Sequence, residues 1–294
     1  MRQEAYFCTV KELDELGKNN IPRQLISHTH LIYSSPATLA FNSPGAEGFG
    51  VKRAGLAVPD SVMLIVSPGC CGRNTSVLSS MRAYQDRFYY LLMDETDIVT
   101  GRHLKKIPKA VAEICEGLKK KPSVVMICIT CVDALLGTDM ERVCHKAEEY
   151  AGVPVRPCYM YALTREGRKP PMVHVRQSVY SLLEPKKKKG NVVNLLGYFS
   201  PLTDDCELYD LLHGAGVKTI HEISRCKDYA QYQTMSEANF NLVLHPEARF
   251  AAEDFHDRLK IPYIELRRLY QIDKIASQYR AFAAALGVEF EDEI

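Results

Sequence analysis

Three cysteines at the ends of two apolar runs carry the first chemical signal in this chain. The run Val62-Met63-Leu64-Ile65-Val66 leads into Ser67-Pro68-Gly69-Cys70-Cys71-Gly72, and a second, Val124 to Thr130, leads into Cys131. Neither run alternates apolar with polar residues, so each reads as a strand buried on both faces of a parallel sheet. Ligands bind at the carboxyl edge of open α/β sheets, so strand-end thiols from one sheet can converge on one redox or metal centre. The competing role of a free cysteine is that of a small buried hydrophobe, and Cys115 and Cys144, on helix-like segments, fit it. Cys70-Cys71 together with Cys128-x-x-Cys131 makes four thiols, enough for a cluster or a zinc ion within one chain. Against that set, Cys128 lies inside its strand, where the pleat turns it away from Cys131, and it reads as core. Cys70 is left as an alternate or supporting thiol.

These thiols must be positioned by an ordinary globular frame. The chain has 294 residues, 46% hydrophobic and 25% charged, which suits two domains with substantial cores. A formal net charge of +1 argues against a nucleic-acid binder, which would carry a strongly basic domain. No apolar run approaches the roughly 18 residues that span a bilayer, and the N-terminus lacks a signal-peptide core, so no membrane association and a cytoplasmic protein are expected. In that compartment the ten cysteines are expected to bind metal, catalyse or lie buried rather than pair as disulfides.

Along the chain, a short helix is expected within 5–17, and His28 and His30 form a His-x-His pair whose commoner role is solvated or hydrogen-bonded rather than metal-binding. The stretch Asn42 to Gly50, with Gly45, matches no phosphate-loop pattern; its small residues suit close approach of the backbone to a bulky group, as do Gly69 and Gly72. Helical character over 76–86, a strand at 89–92, a helix at 107–118, the strand at 124–130, a helix at 140–150 and a strand at 153–155 give a doubly wound half. Glu184-Pro185 and the four lysines 186–189 read as a linker, dividing 1–184 from 190–294. The second half repeats the logic: strands at 192–198, 217–223, 241–244 and 261–264, with helices starting at 203–205 and spanning 250–259 and 273–286. The fold class is therefore α/β, two Rossmann-like doubly wound units with mainly parallel sheets. Gly197, Tyr198 and Cys226 fall near strand ends of the second unit, where a cleft ligand is expected.

The motifs in order resemble the component 1 subunits of nitrogenase and nitrogenase-like reductases. Ser67-Pro68-Gly69-Cys70-Cys71-Gly72 is similar to a strand-end His-Gly-Pro-x-Gly-Cys-Gly loop of that family, and Thr96-Asp97-Ile98-Val99-Thr100-Gly101 to its Thr-Asp-x-Val-Phe-Gly-Gly segment. Cys131-Val132-Asp133-Ala134-Leu135-Leu136-Gly137-Thr138-Asp139 resembles its strand-then-Cys-Pro-x-x-Leu-Ile-Gly-Asp-Asp motif, and Val193 to Tyr198 and Lys260-Ile261-Pro262-Tyr263 echo its second domain. The resemblance implies that Cys71 and Cys131 are iron-sulfur ligands at a subunit interface. The family's further cysteine, expected near Gly45, is missing. Two thiolates per subunit doubled across a two-fold axis would supply a 4Fe-4S cluster, so the expected assembly is a homodimer, or a heterodimer with a longer homologue. The implied function is an oxidoreductase subunit that passes low-potential electrons from an ATP-dependent iron protein to a substrate, tetrapyrrole-like among the options. Where the nitrogen-fixing relatives place a cofactor cysteine, His245-Pro246 follows the strand, which speaks against nitrogen fixation. The alternative is a non-catalytic scaffold or carrier of a cluster or tetrapyrrole for a longer partner, motivated by the absence of the family's third domain from this sequence.

Overall fold

The computed structural model describes residues 8–20, 22, 50–69, 79–160 and 169–289. The first sheet contains β1 (Val62–Ser67), β2 (Phe88–Leu92), β3 (Val125–Ile129) and β4 (Val155–Tyr159), all parallel, in the order β2-β1-β3-β4. Every residue of β1 and β3 is buried, as their unbroken apolar sequence requires of central parallel strands. The edge strand β2 alternates instead.

Helices cover both faces of this sheet. They are, after the N-terminal α1 (Val10–Leu16), α2 (Gly50–Gly55), α3 (Glu95–Thr100), α4 (His103–Gly117), α5 (Cys131–Leu136), α6 (Met140–Ala151) and α7 (Pro171–Tyr180). α4 and α6 pack together over Val62, Leu64, Val66, Val125, Ile127 and Ile129. α2 and α7 pack over Met63, Ile65, Met126, Cys128 and Cys158. Cys128 is thus a core residue, and Cys115 and Cys144 are buried in their helices, as the sequence suggests.

The second sheet repeats the plan with β5 (Val192–Leu196), β6 (Thr219–His221), β7 (Phe240–Val243) and β8 (Tyr263–Glu265) in the parallel order β6-β5-β7-β8. α8 (Glu207–Gly214) and α11 (Ile272–Leu286) supply Leu208, Leu212 and Phe282 to one face. α9 (Tyr229–Gln233) and α10 (Arg249–Leu259) cover the other face, and their Tyr232, Phe255 and Leu259 belong to the same core as α2 and α7. Polar bonds reinforce that shared layer: Gln177 Nε2 donates to Asp254 Oδ2 at 2.6 Å, and Arg258 donates to the carbonyls of Tyr180 and Leu183.

Several local expectations need correction. Of the helix expected over 76–86, the described part contains a 3₁₀ turn, Arg82–Tyr84, after which Asp86 takes a left-handed φ of 60° that ends helical winding. The helix expected from 203–205 begins at Glu207, and the strand expected over 217–223 is confined to Thr219–His221 because Ile223–Arg225 turn as 3₁₀. α7 is missed by pattern reading: its valines favour strands, while its real start signal is Pro171 at the first helical position. The lysine run has no regular structure, but Lys188 Nζ donates to the Ser236 carbonyl at 2.7 Å and Lys189 pairs with Glu237. His28, His30 and Gly45 lie outside the described residues.

Candidate functional site

The candidate residues fall in two places. The first is the carboxyl edge of the first sheet, at its switch point between β1 and β3. Val66 and Ile129 are register partners, so Ser67 and Thr130 leave the sheet side by side. Cys131 opens α5 directly after Thr130, and Gly69 follows β1, with open space where a Cβ would stand. Cys70, Cys71 and Gly72 lie outside the described residues.

A polar network backs α5. Asp133 Oδ1 accepts from Thr138 Oγ1 at 3.0 Å and lies 2.9 Å from His103 Nε2, while His103 Nδ1 lies 3.0 Å from the Asp97 carbonyl. Hydrogen bonds from Lys106 and then Arg102 hold the Asp97 carboxyl down to about 2. On the sheet side, Ser67 Oγ, Thr130 Oγ1 and Asp133 Oδ2 are buried without a hydrogen-bond partner among the described residues. Buried hydroxyl donors without partners at a strand edge are compatible with a group nearby that accepts hydrogen bonds, as the sulfur atoms of an iron-sulfur group would.

The second place is a cleft of about 660 Å³, within the range of small-molecule sites. The loops after β5, β6 and β7 line it, bringing together Gly197, Tyr198, Cys226 and His245; α2, Arg176 of α7 and the segments before β1 and β2, including Asp60 and Arg87, form its other wall. Gly197 has φ 140°, and a Cβ there would stand 2.8 Å from both Cβ and N of His245, so only glycine lets these two loops meet. His245 Nδ1 accepts from the Glu247 N–H at 3.3 Å, and burial followed by Arg176 pushes its pKa down. With Nδ1 accepting, the neutral ring carries its proton on Nε2, a hydrogen-bond donor. Burial and Asp228 push the Cys226 thiol up to about 11, so it is not a thiolate near neutral pH.

Arg176 fixes the wall: Nη2 donates to the Gly197 carbonyl at 2.7 Å, Nη1 to Met172 O and Glu247 Oε2 at 2.8 Å each, and the guanidinium lies over Phe199. Among the described residues Arg87 donates to neutral acceptors: the carbonyls of Leu56, Val58 and Ser61, and Ser61 Oγ. With Arg53 and Lys227 added, four cationic side chains face two carboxylates, Asp60 and Glu247, and Asp60 also binds Lys120 at 2.8 Å. The cleft is net positive. Sequence reasoning missed Arg87 and Arg176, which carry no motif, and also passed over Ser67 and Thr130, whose one signal is a hydroxyl closing an apolar strand.

The two places are not one. The cleft adjoins the amino ends of β1 and β2, whereas α5 opens after the carboxyl end of β3; β1 itself is six residues, roughly 20 Å, long at about 3.3 Å per residue.

With this geometry in place, the family follows from a match of residues 47–294 to the nitrogenase component 1 type oxidoreductases. The chain belongs to that family. It is similar to the nitrogenase iron-molybdenum cofactor biosynthesis protein NifE of Nostoc sp., at 27% identity over 239 residues, covering 78% of this chain and 49% of that protein. NifE of Klebsiella pneumoniae is 26% identical over 266 residues, covering 83% and 58% respectively. The chain thus spans about half the length of the curated relatives it matches. Among solved structures, nitrogenase Cp1 at pH 6.5 superposes with a TM-score of 0.61 at 18% identity, over 83% of this chain and 58% of that one, which shows a shared fold. Among the described residues no helix is long and apolar enough to cross a membrane.

Proposed function

We propose that the chain is a nitrogenase-like oxidoreductase subunit, in which Cys71 and Cys131, with Cys70 as a supporting thiol, hold an iron-sulfur centre between two subunits. The observation that carries this reading is the strand-end frame: Cys131 opens a helix at the switch point, and the neighbouring strand leads through Ser67 to Cys71. Two thiolates from each of two copies, or from this chain and a longer homologue, would meet the four-ligand count of a 4Fe-4S cluster. Such a cluster supplies one-electron transfer at low potential, with an ATP-dependent iron protein as the electron donor. This chain's own residues do the remainder: His103, Asp133 and Thr138 anchor α5 behind Cys131, and the cleft's guanidinium and ammonium groups receive an anionic ligand near Gly197, Tyr198 and His245.

A second reading, a scaffold or carrier for a longer partner, is supported by the names of the curated relatives, which are cofactor biosynthesis proteins, and by the neutral His245 in place of a cleft thiolate. One set of measurements tests both. Iron and acid-labile sulfide per chain, with mass in solution, are determined on anaerobically prepared protein and on Cys71→Ala and Cys131→Ala. Half a cluster per chain in a dimer, lost in both variants, is expected, and reduction of the cluster by an iron protein with ATP distinguishes the oxidoreductase from the carrier. Absence of iron after reconstitution would sink the cluster reading altogether.

A further inference from the structure

The second sheet runs β6-β5-β7-β8, so its order reverses between β5 and β7, and the cleft opens at the carboxyl ends of those two strands. The outer strands, β6 and β8, each send a segment to one flank of this crevice. After β6, the 3₁₀ turn Ile223–Arg225 leads to Lys227, which lines the cleft. After β8, residues 266–271 run without regular structure and carry Arg268. Arg268 Nη2 donates to Tyr198 Oη at 3.1 Å, and Tyr198 lines the cleft with its ring edge-on to His245. After burial and Arg176, the Arg268 charge also pushes the His245 pKa down, so it is felt at the cleft. Both segments are pinned: the Lys227 N–H donates to Gln231 Oε1 at 2.8 Å, the Leu266 N–H to the Val243 carbonyl at 2.9 Å, and Gln278 of α11 brackets Arg267 through its N–H and carbonyl.

Charge at these two flanks is unbalanced. The carboxylates of the cleft are already engaged, Glu247 by Arg176 and Asp60 by Lys120, at 2.8 Å each. Lys227 and Arg268 pair with no carboxylate among the described residues, and the partners of Arg268 are two phenols, Tyr198 and Tyr270. An oxyanion is a stronger acceptor for a guanidinium than a phenol oxygen. Phe199, Ile223 and the Tyr198–His245 ring pair offer apolar contact in the same cleft.

We propose that the cleft takes an elongated dianion, with one terminal carboxylate or phosphate at Lys227, the other at Arg268, and an apolar spacer lying across the ends of β5 and β7. The assignment rests on the anionic-ligand reading of the cleft given above. β6 and β8 are three strand spacings apart, about 14 Å, so a ligand with one acid group, or with two adjacent ones, engages a single flank. Lys227 and Arg268 are then specificity residues that select for the distance between two charges.

The test is calorimetric titration of the full chain with α,ω-alkane dicarboxylates from succinate to dodecanedioate, with the monocarboxylate of each length, and with the α,ω-bisphosphonate of the best length. Wild type is compared with Lys227→Gln, Arg268→Gln and Arg268→Lys, and urea unfolding confirms that the variants fold, both positions being exposed. The second acid group is expected to add little for succinate and about two- to fivefold in affinity for longer members. Either glutamine variant is expected to remove that gain, leaving the diacid bound like the monoacid, while Arg268→Lys keeps part of it. Tighter binding of the bisphosphonate than of the matching diacid marks phosphate as the terminal group, and the reverse marks carboxylate. Long diacids bound no better than monoacids, or a gain that survives both glutamine variants, would overturn the two-ended clamp and leave the anionic-ligand reading standing. Wild type that binds none of these anions would overturn that reading, and the clamp with it.

Discussion

His174 makes stability fall with acid in a way that one substitution isolates. Its ring sits edge-on to Tyr159 with centroids 4.3 Å apart, and burial, aided by Lys169, lowers its pKa from 6.5 to about 4. In the unfolded chain the imidazole takes up a proton below about 6.5, while the folded chain resists until about 4. The stabilisation is thus complete above 6.5, is lost as pH falls toward 4, and changes no further below. The gap corresponds to about 3 kcal/mol in full, of which about 2 kcal/mol is lost by pH 5. Urea unfolding of iron-free wild type and His174→Phe at pH 7.5 and 5.0 reads this as a double difference, so that the carboxylates common to both chains cancel. The wild type is expected to lose about 2 kcal/mol more than the variant over this interval. Equal losses would show that His174 is not held neutral by its surroundings and would refute the reasoning.

Other outcomes follow from the same geometry. Gly197→Ala drives a Cβ to 2.8 Å from the His245 backbone nitrogen, and is expected to cost about 1–3 kcal/mol in urea unfolding; wild-type stability would contradict the close approach. His103→Ala leaves the fully buried Asp133 carboxylate without its imidazole partner and is expected to cost about 3–5 kcal/mol, with a midpoint near wild type counting against the pairing. In native protein near neutral pH, Cys115, Cys128, Cys144 and Cys158 are expected to resist alkylation until urea unfolds the chain, because all four are buried and burial pushes the Cys115 and Cys144 thiols up. Mass spectrometry that finds Cys144 labelled as fast as in the unfolded chain would contradict its packing. Arg87→Gln is expected to weaken binding of small polyanions to the cleft without changing iron per chain; a parallel loss of iron would contradict the separation of the two places.

The α/β plan was legible because central parallel strands must be apolar along their whole length, and Val62 to Val66 and Val124 to Ile129 have no other reading at that length. The two sheet orders were not, since pairing partners depend on crossovers that leave no local mark. Cys128 was assignable to the core from the pleat alone, and its register partner Cys158 appears only when β3 and β4 are laid side by side. α7 escaped because its valines oppose its conformation, and tertiary burial of Met172, Val175 and Val179 overrides that weak preference. The cleft was anticipated at Gly197, Tyr198 and Cys226, but its charge comes from Arg87 and Arg176, brought from positions remote in sequence.

The placement of cleft and thiol edge at opposite ends of β1 constrains what one chain can do. A ligand at His245 would face the amino ends of the first sheet, whereas residue 131 follows β3 at the carboxyl edge. Between them lies the packed layer of α2, α7 and the face of Met63, Met126, Cys128 and Cys158, within which Lys52 of α2 is buried. That layer is also where the two sheets share a core, fastened at one end by Arg176 on the Gly197 carbonyl. The same helix, α7, thus shapes the cleft wall and packs on the sheet that presents Cys131.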